Sequence, residues 1–128
     1  MGFISAHTTK ELIPPLPFEN IAEHILGKKY QLSVTFVSPQ KMRALNRRAR
    51  GIDRSTDILS FALSDDMGEL YISLPNAKKK APTFGMTERD YLGFLFIHGC
   101  LHLEGHDHGR TMEQLERKFC RAFRFPCP

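Results

Sequence analysis

The stretch His98-Gly99-Cys100-Leu101-His102-Leu103-Glu104-Gly105-His106-Asp107-His108 holds four of the six histidines in the 128-residue chain. The apolar run before it, Tyr91, Leu92, Phe94, Leu95, Phe96 and Ile97, predicts a helix that continues through His102. His98 and His102 are then one turn apart and project from one face. Gly105 follows three residues later, where a residue free to take positive φ can end the helix and turn the chain back. That return offers His108 as a third ligand. Three neutral imidazoles suit Zn²⁺, and three protein ligands leave a fourth position for water, the pattern of a catalytic site and not of a closed structural one. His106 reads as an exposed neighbour or a competing ligand.

The order His-x3-His-x2-Gly-x2-His is also the spacing of the metzincin peptidases, which place a Glu general base directly after the first histidine. Here that position is Gly99, so a peptidase reading loses its base. Cys100 is two residues past His98. On a helix this points it away from the His98/His102 face, which favours a buried small hydrophobe over a thiolate ligand.

Outside this stretch the composition is that of an ordinary globular domain, 41% hydrophobic and 25% charged, and 128 residues suffice for one domain with a real core. No apolar run has the length of a membrane span, and Met1 to Ser5 lack the features of a secretory signal, so a cytoplasmic location is expected. Cys100, Cys120 and Cys127 are an odd number without Cys-x2-Cys spacing and read as reduced thiols. A net charge of +4 permits a polyanionic partner without establishing one.

Working toward the N-terminus, residues 3 to 9 suggest a short strand, and Phe18, Ile21, Ala22, Ile25 and Leu26 recur at helical spacing before Gly27. Tyr30 to Val37 alternates at period two and is the clearest strand. Ser38 can cap a helix with Pro39 in its first turn. That helix carries Met42, Leu45 and Ala49 on one face and Lys41, Arg43, Arg47, Arg48 and Arg50 on the other, a run that reads equally as a solvated face. Residues 51 to 54 are a turn, and Ser55 to Leu63 and Glu69 to Ser73 form strands joined by an Asp65-Asp66-Met67-Gly68 hairpin and paired antiparallel. Pro75 to Pro82, with Lys78-Lys79-Lys80 between, is a basic connector with no readable element. Thr87 caps the long helix, and Thr111 to Phe123 gives the last one. The expected fold is α+β: a single domain with a small mixed sheet flanked by helices, the histidine-bearing helix packed on the sheet.

Three stretches carry a family likeness. One is His98-Gly99-x-Leu101-His102-Leu103-x-Gly105-His106-Asp107-His108; another is Arg50-Gly51 followed by Ser55-Thr56-Asp57-Ile58-Leu59-Ser60-Phe61; a weaker one is Gly68-Glu69-Leu70-Tyr71-Ile72. Together they resemble the YbeY family of bacterial metal-dependent endoribonucleases, also described as rRNA maturation factors. The departures are Glu69 where Asp is usual, Ser55 where Pro is common, and Ala62 where Pro often follows the Phe. The resemblance implies a cytoplasmic, zinc-bound hydrolase that cuts single-stranded RNA, serves 16S rRNA 3′-end processing and ribosome quality control, and has ribosomal partners. It further implies His98, His102 and His108 as metal ligands and His98 and Arg50 as the residues of catalysis.

That chemistry is coherent. Zn²⁺ makes an activated water available near neutral pH, and an arginine can hold a phosphate through two parallel hydrogen bonds while charge grows on it. A metal-dependent peptidase would share the histidine spacing but lacks its Glu and has no use for the basic helix. A non-catalytic ribosome-associated metal protein would share the basic face but not an open coordination position.

Overall fold

The computed structural model describes residues 2–7, 12–107 and 109–127. Thr8 and Thr9, the end of the first expected strand, and His108 lie outside the described residues. In chain order the elements are β1 (Gly2–His7), α1 (Phe18–Leu26), β2 (Gln31–Phe36), α2 (Pro39–Arg50), β3 (Ile58–Ser64), β4 (Met67–Ile72), α3 (Leu74–Lys80), a 3-10 turn (Ala81–Phe84), α4 (Glu88–Glu104) and α5 (Arg110–Ala122). The strands form one sheet in the order β1-β2-β4-β3. The first two pairings are parallel and β3 pairs antiparallel with β4, so the sheet is mixed and the fold is α+β.

Alternation along β2 and β4 sends Leu32, Val34, Phe36, Leu70 and Ile72 to one face. There they join Ile21 and Ile25 of α1, Leu92, Leu95, Phe96 and Leu101 of α4, and Met112 and Cys120 of α5 in the main core. The other face is covered by α2 through a smaller cluster of Val37, Met42 and Leu59, with Tyr71 and Phe61 against it. Ser38 caps α2, its hydroxyl accepting from the Lys41 amide, and Pro39 takes the first turn, where its missing N–H costs nothing.

The long helix α4 has ten buried residues distributed around its circumference. Between Asp90 and Leu103 only the stripe of Asp90, Phe94, His98 and His102 is half-buried, and burial over the rest is why its sequence shows an apolar run. Thr87 caps it through the Asp90 amide, and Gly105, at φ 110°, ends it with its own amide on the His102 carbonyl. The chain then reverses so that α5 packs back on α4.

Two boundaries differ from the sequence reading. The β3–β4 turn is tighter, because Met67 and Gly68 already belong to β4, and β3 begins only at Ile58. The segment from Pro75 to Pro82 is mostly the short helix α3, capped by Ser73, with Pro75 in its first turn. Proline there looks like a breaker in sequence but is compatible with a helix start.

Cys100 is fully buried in the main core and Cys120 is 2% exposed. Burial, and then Glu104, pushes the Cys100 thiol well above the ordinary thiol range; burial and the adjacent Cys127 thiol do the same for Cys120. Thiolates are the reactive form. Iodoacetamide should therefore label native protein at Cys127 and reach Cys100 and Cys120 only after denaturation, as peptide mass mapping would show. Native labelling of Cys100 would contradict this packing.

Candidate functional site

The site begins with the way α4 meets the sheet. A Cβ built on Gly99 would lie 2.7 Å from the Ile58 Cδ1 and 3.0 Å from a Leu70 methyl, so the helix backbone approaches β3 and β4 closer than any side chain permits. With residue 99 facing the sheet, His98 and His102 fall roughly 60–100° round the same flank of the helix. The metzincin general-base position thus points into an apolar interface. A glutamate there would clash and bury an unpaired carboxylate.

Both histidines line an open cleft of ≈ 960 Å³ that lies between the end of α2, the 52–60 segment and α4. His102 Nε2 and His98 Nε2 are 3.0 Å apart, with ring planes at 86°. The other His98 nitrogen, Nδ1, is 2.6 Å from Glu116 Oε2 on α5. A carboxylate can only accept, so Nδ1 carries the proton and donates. His98 Nε2 then faces His102 Nε2, and as metal ligands both nitrogens would be unprotonated. This is a donor set suited to zinc: two imidazole nitrogens on one tetrahedral ion sit roughly 3.4 Å apart, only a few tenths wider than the pair here. A carboxylate on the far nitrogen of a histidine is the usual device for fixing a ligand's tautomer and orientation. Among the described residues no cluster of three or more His, Cys, Asp or Glu side chains forms a complete metal cage. His108, the expected third ligand, lies outside the described residues. His106 does not line the cleft, and its Nε2 is 2.8 Å from Glu104 Oε1.

The basic run on α2 divides. Arg43 forms a two-bond ion pair with Asp53, at 2.9 and 3.2 Å, and Arg47 reaches the same carboxylate at 3.9 Å. That pairing pulls the Asp53 carboxyl below its ordinary range, chiefly through the Arg43 hydrogen bonds. Of the five basic residues singled out in this helix, Arg50 alone lines the cleft with the histidines. Its Nη2 donates to the Ser60 carbonyl at 2.8 Å, and its guanidinium lies 5.4 Å from the centroid of Phe61.

Opposite stands a polar wall, of which the sequence reading singled out only Ser55, Thr56 and Asp57, as part of the family likeness. Asp57 is 7% exposed, accepts a 2.6 Å hydrogen bond from the Tyr91 hydroxyl, and has Lys80 Nζ at 3.6 Å. Burial first, and then Asp57, drives the Tyr91 hydroxyl far above the ordinary phenol range, so it remains a donor. Asn76 on α3 donates to the Ser55 hydroxyl and the Thr56 carbonyl, and Ser55 in turn donates to the Pro39 carbonyl. These bonds hold the segment before β3 in place between α2 and α3. Glu116 and Lys80 were missed for different reasons. Glu116 shares the face of α5 with Met112 and Cys120, where an acid on an apolar stripe is a sequence signal for a buried partner; Lys80 sits in the segment that gave no readable element.

The family model described as Endoribonuclease YbeY matches residues 4–123. An Endoribonuclease YbeY of Geobacillus kaustophilus is 41% identical over 66% of this chain and 64% of its own length. One from Shouchella clausii is 37% identical over 70% of this chain and 66% of its length. The chain thus spans just under two thirds of both. The solution structure of TM1509 from Thermotoga maritima superposes with a TM-score of 0.64 at 26% identity, over 91% of this chain and 85% of that one.

The Glu116 contact has a direct spectroscopic consequence. Nitrogen-15 NMR of the histidine rings should find the His98 proton on Nδ1, and Glu116→Ala should release that preference while the fold, read by circular dichroism, persists. A wild-type His98 protonated on Nε2 would break the assignment.

Proposed function

The chain belongs to the YbeY endoribonuclease family, and on that premise we propose that it is a zinc-dependent endoribonuclease acting on single-stranded RNA, with its cellular role in 16S rRNA 3′-end maturation and ribosome quality control. The observation that carries the reading is the meeting of Arg50 with His98 and His102 on one cleft, although they are about fifty residues apart in sequence. His98, His102 and His108 would hold the ion. When bound, zinc supplies a Lewis-acid charge at the phosphate and an activated water near neutral pH.

The chain's own residues do the rest. Glu116 keeps His98 turned so that Nε2 faces the cleft. Arg50 spends one of its donors on the Ser60 carbonyl and keeps others for a phosphate oxygen, where a fixed cation stabilises charge that grows as the phosphodiester bond breaks. The open cleft admits a flexible strand, and its basic side chains Arg50, Arg54 and Lys80 suit a polyanion. The peptidase alternative is disfavoured by Gly99, whose position cannot house the missing base. No helix among the described residues is long and apolar enough to cross a membrane.

Purified protein should carry one equivalent of zinc by elemental analysis, and His102→Ala should lose most of it; a full equivalent in that variant would refute the ligand set. Single-turnover cleavage of saturating unpaired RNA should fall on the order of a hundredfold or more for Arg50→Ala, the scale for removing one preorganised oxyanion donor. Metal content should be unchanged. Arg47→Ala and Arg48→Ala should cut nearly as wild type, and equal small losses across all three would reduce Arg50 to part of a general basic surface.

A further inference from the structure

A chain of aromatic rings runs along α4 from the histidine pair to the surface. His98 lies 5.9 Å from Phe94, Phe94 6.3 Å from Tyr91, and Tyr91 5.5 Å from Phe84, the last pair stacked with planes only 14° apart. Phe84 ends the 3-10 turn, where Gly85 in the left-handed region closes the backbone onto Pro82 and Ala81. Tyr91 covers one face of its ring, yet Phe84 is 44% exposed, the one aromatic side chain among the exposed large hydrophobic residues of the described chain. Three exposed lysines, Lys78 to Lys80, directly precede that turn, and Lys80 lines the histidine cleft.

An exposed apolar side chain is ordinary by itself. Here it is a flat ring, backed by a second ring whose hydroxyl reaches the cleft wall at Asp57, and it closes a turn that directly follows three exposed lysines. Aromatic platforms beside a basic track are how unpaired nucleic acid is held without reading its sequence. We propose that Phe84 is a base-stacking platform for single-stranded RNA: an unpaired base caps its outer face, and Lys78 to Lys80 take the phosphates of the strand leading into the cleft. This rests on the ribonuclease reading and adds to it where the strand lies. Preference for unpaired RNA follows, because a base inside a duplex has no free face to offer.

The chain contains no tryptophan, so Phe84→Trp places a single reporter at the platform. A short unpaired 2′-O-methyl oligoadenylate, which resists cleavage, should quench its emission and bind with near wild-type affinity. Leu63→Trp, at the far end of β3, should not respond. Phe84→Ala should weaken binding of the same oligomer about 5- to 150-fold, the range for losing one base–aromatic stack, with cleavage at saturating RNA preserved. The platform is overturned if Phe84→Trp emission ignores the oligomer, if a duplex quenches it equally, if Leu63→Trp responds to the same degree, or if Phe84→Ala binds as wild type. Any of these in a protein that still cuts unpaired RNA leaves the ribonuclease reading standing. A wild type that neither binds nor cuts RNA overturns both.

Discussion

The approach of α4 to the sheet at Gly99 is the constraint from which the site follows. Because no side chain stands between the helix backbone and Ile58 and Leu70, α4 lies low against β3 and β4. Its histidine flank therefore opens beside the first residues of β3. A larger residue at 99 would lift the helix and widen the gap between the histidines and the segment that carries Asp57. The same low seat explains the burial of α4 over the rest of its circumference, since it then also contacts α1, α3 and α5. Full burial of a large aliphatic or aromatic side chain contributes about 1.5–3 kcal/mol. With Leu92, Phe96, Ile97 and Leu101 all at 0% exposure, α4 is the main anchor of the fold as well as the bearer of the histidine pair.

Charge on this molecule is sorted by position, and the net value of +4 conceals it. Arg43 and Arg47 are occupied with Asp53 on the exposed side of α2, and such an exposed pairing adds little to stability. Arg50 lies one turn beyond Arg47, at the end of the helix, where Gly51 in the left-handed region closes α2. That position sends its side chain toward β3. Lys80 approaches from α3 on the other side, held near the carboxylate of Asp57. The cleft thus gathers two cations, Arg50 and Lys80, that come from different helices and lie thirty positions apart in sequence.

Local signals were legible where one physical cause acted alone. α1, the cap and first turn of α2, the Gly105 stop and the antiparallel β3–β4 pair all declare themselves through spacing, capping chemistry or turn residues. The likeness to one family supplied Arg50 as a partner of the histidines, which charge patterning could not do for one basic residue among five. What stayed hidden needed tertiary information. Pro75 disguised a helix start as a break, and with it went Lys80, Asn76 and the wall they build. Glu116 is eighteen residues from His98 and meets it only because the chain reverses at Gly105. Tyr91 looked like one more apolar position on α4, and its hydroxyl found Asp57 thirty-four residues away.

The reversal after α4 also orders events on the ribosome. Chains are made from the N-terminus, so β1 to β4 and α2 emerge before the helix that must cover their main apolar face. Leu32, Val34, Phe36 and Leu70 wait for α4, and α4 in turn waits for Met112, Cys120 and Phe125, the last of which fills the notch left by Gly93. His98 acquires its Glu116 partner only when α5 has been synthesised and docked. A nascent chain therefore presents Arg50 before the histidine flank of α4 completes the cleft, and that flank in turn precedes the oriented histidine. Under the proposed ribonuclease function, competence for cleavage would arise only once α5 has docked on α4 and oriented His98.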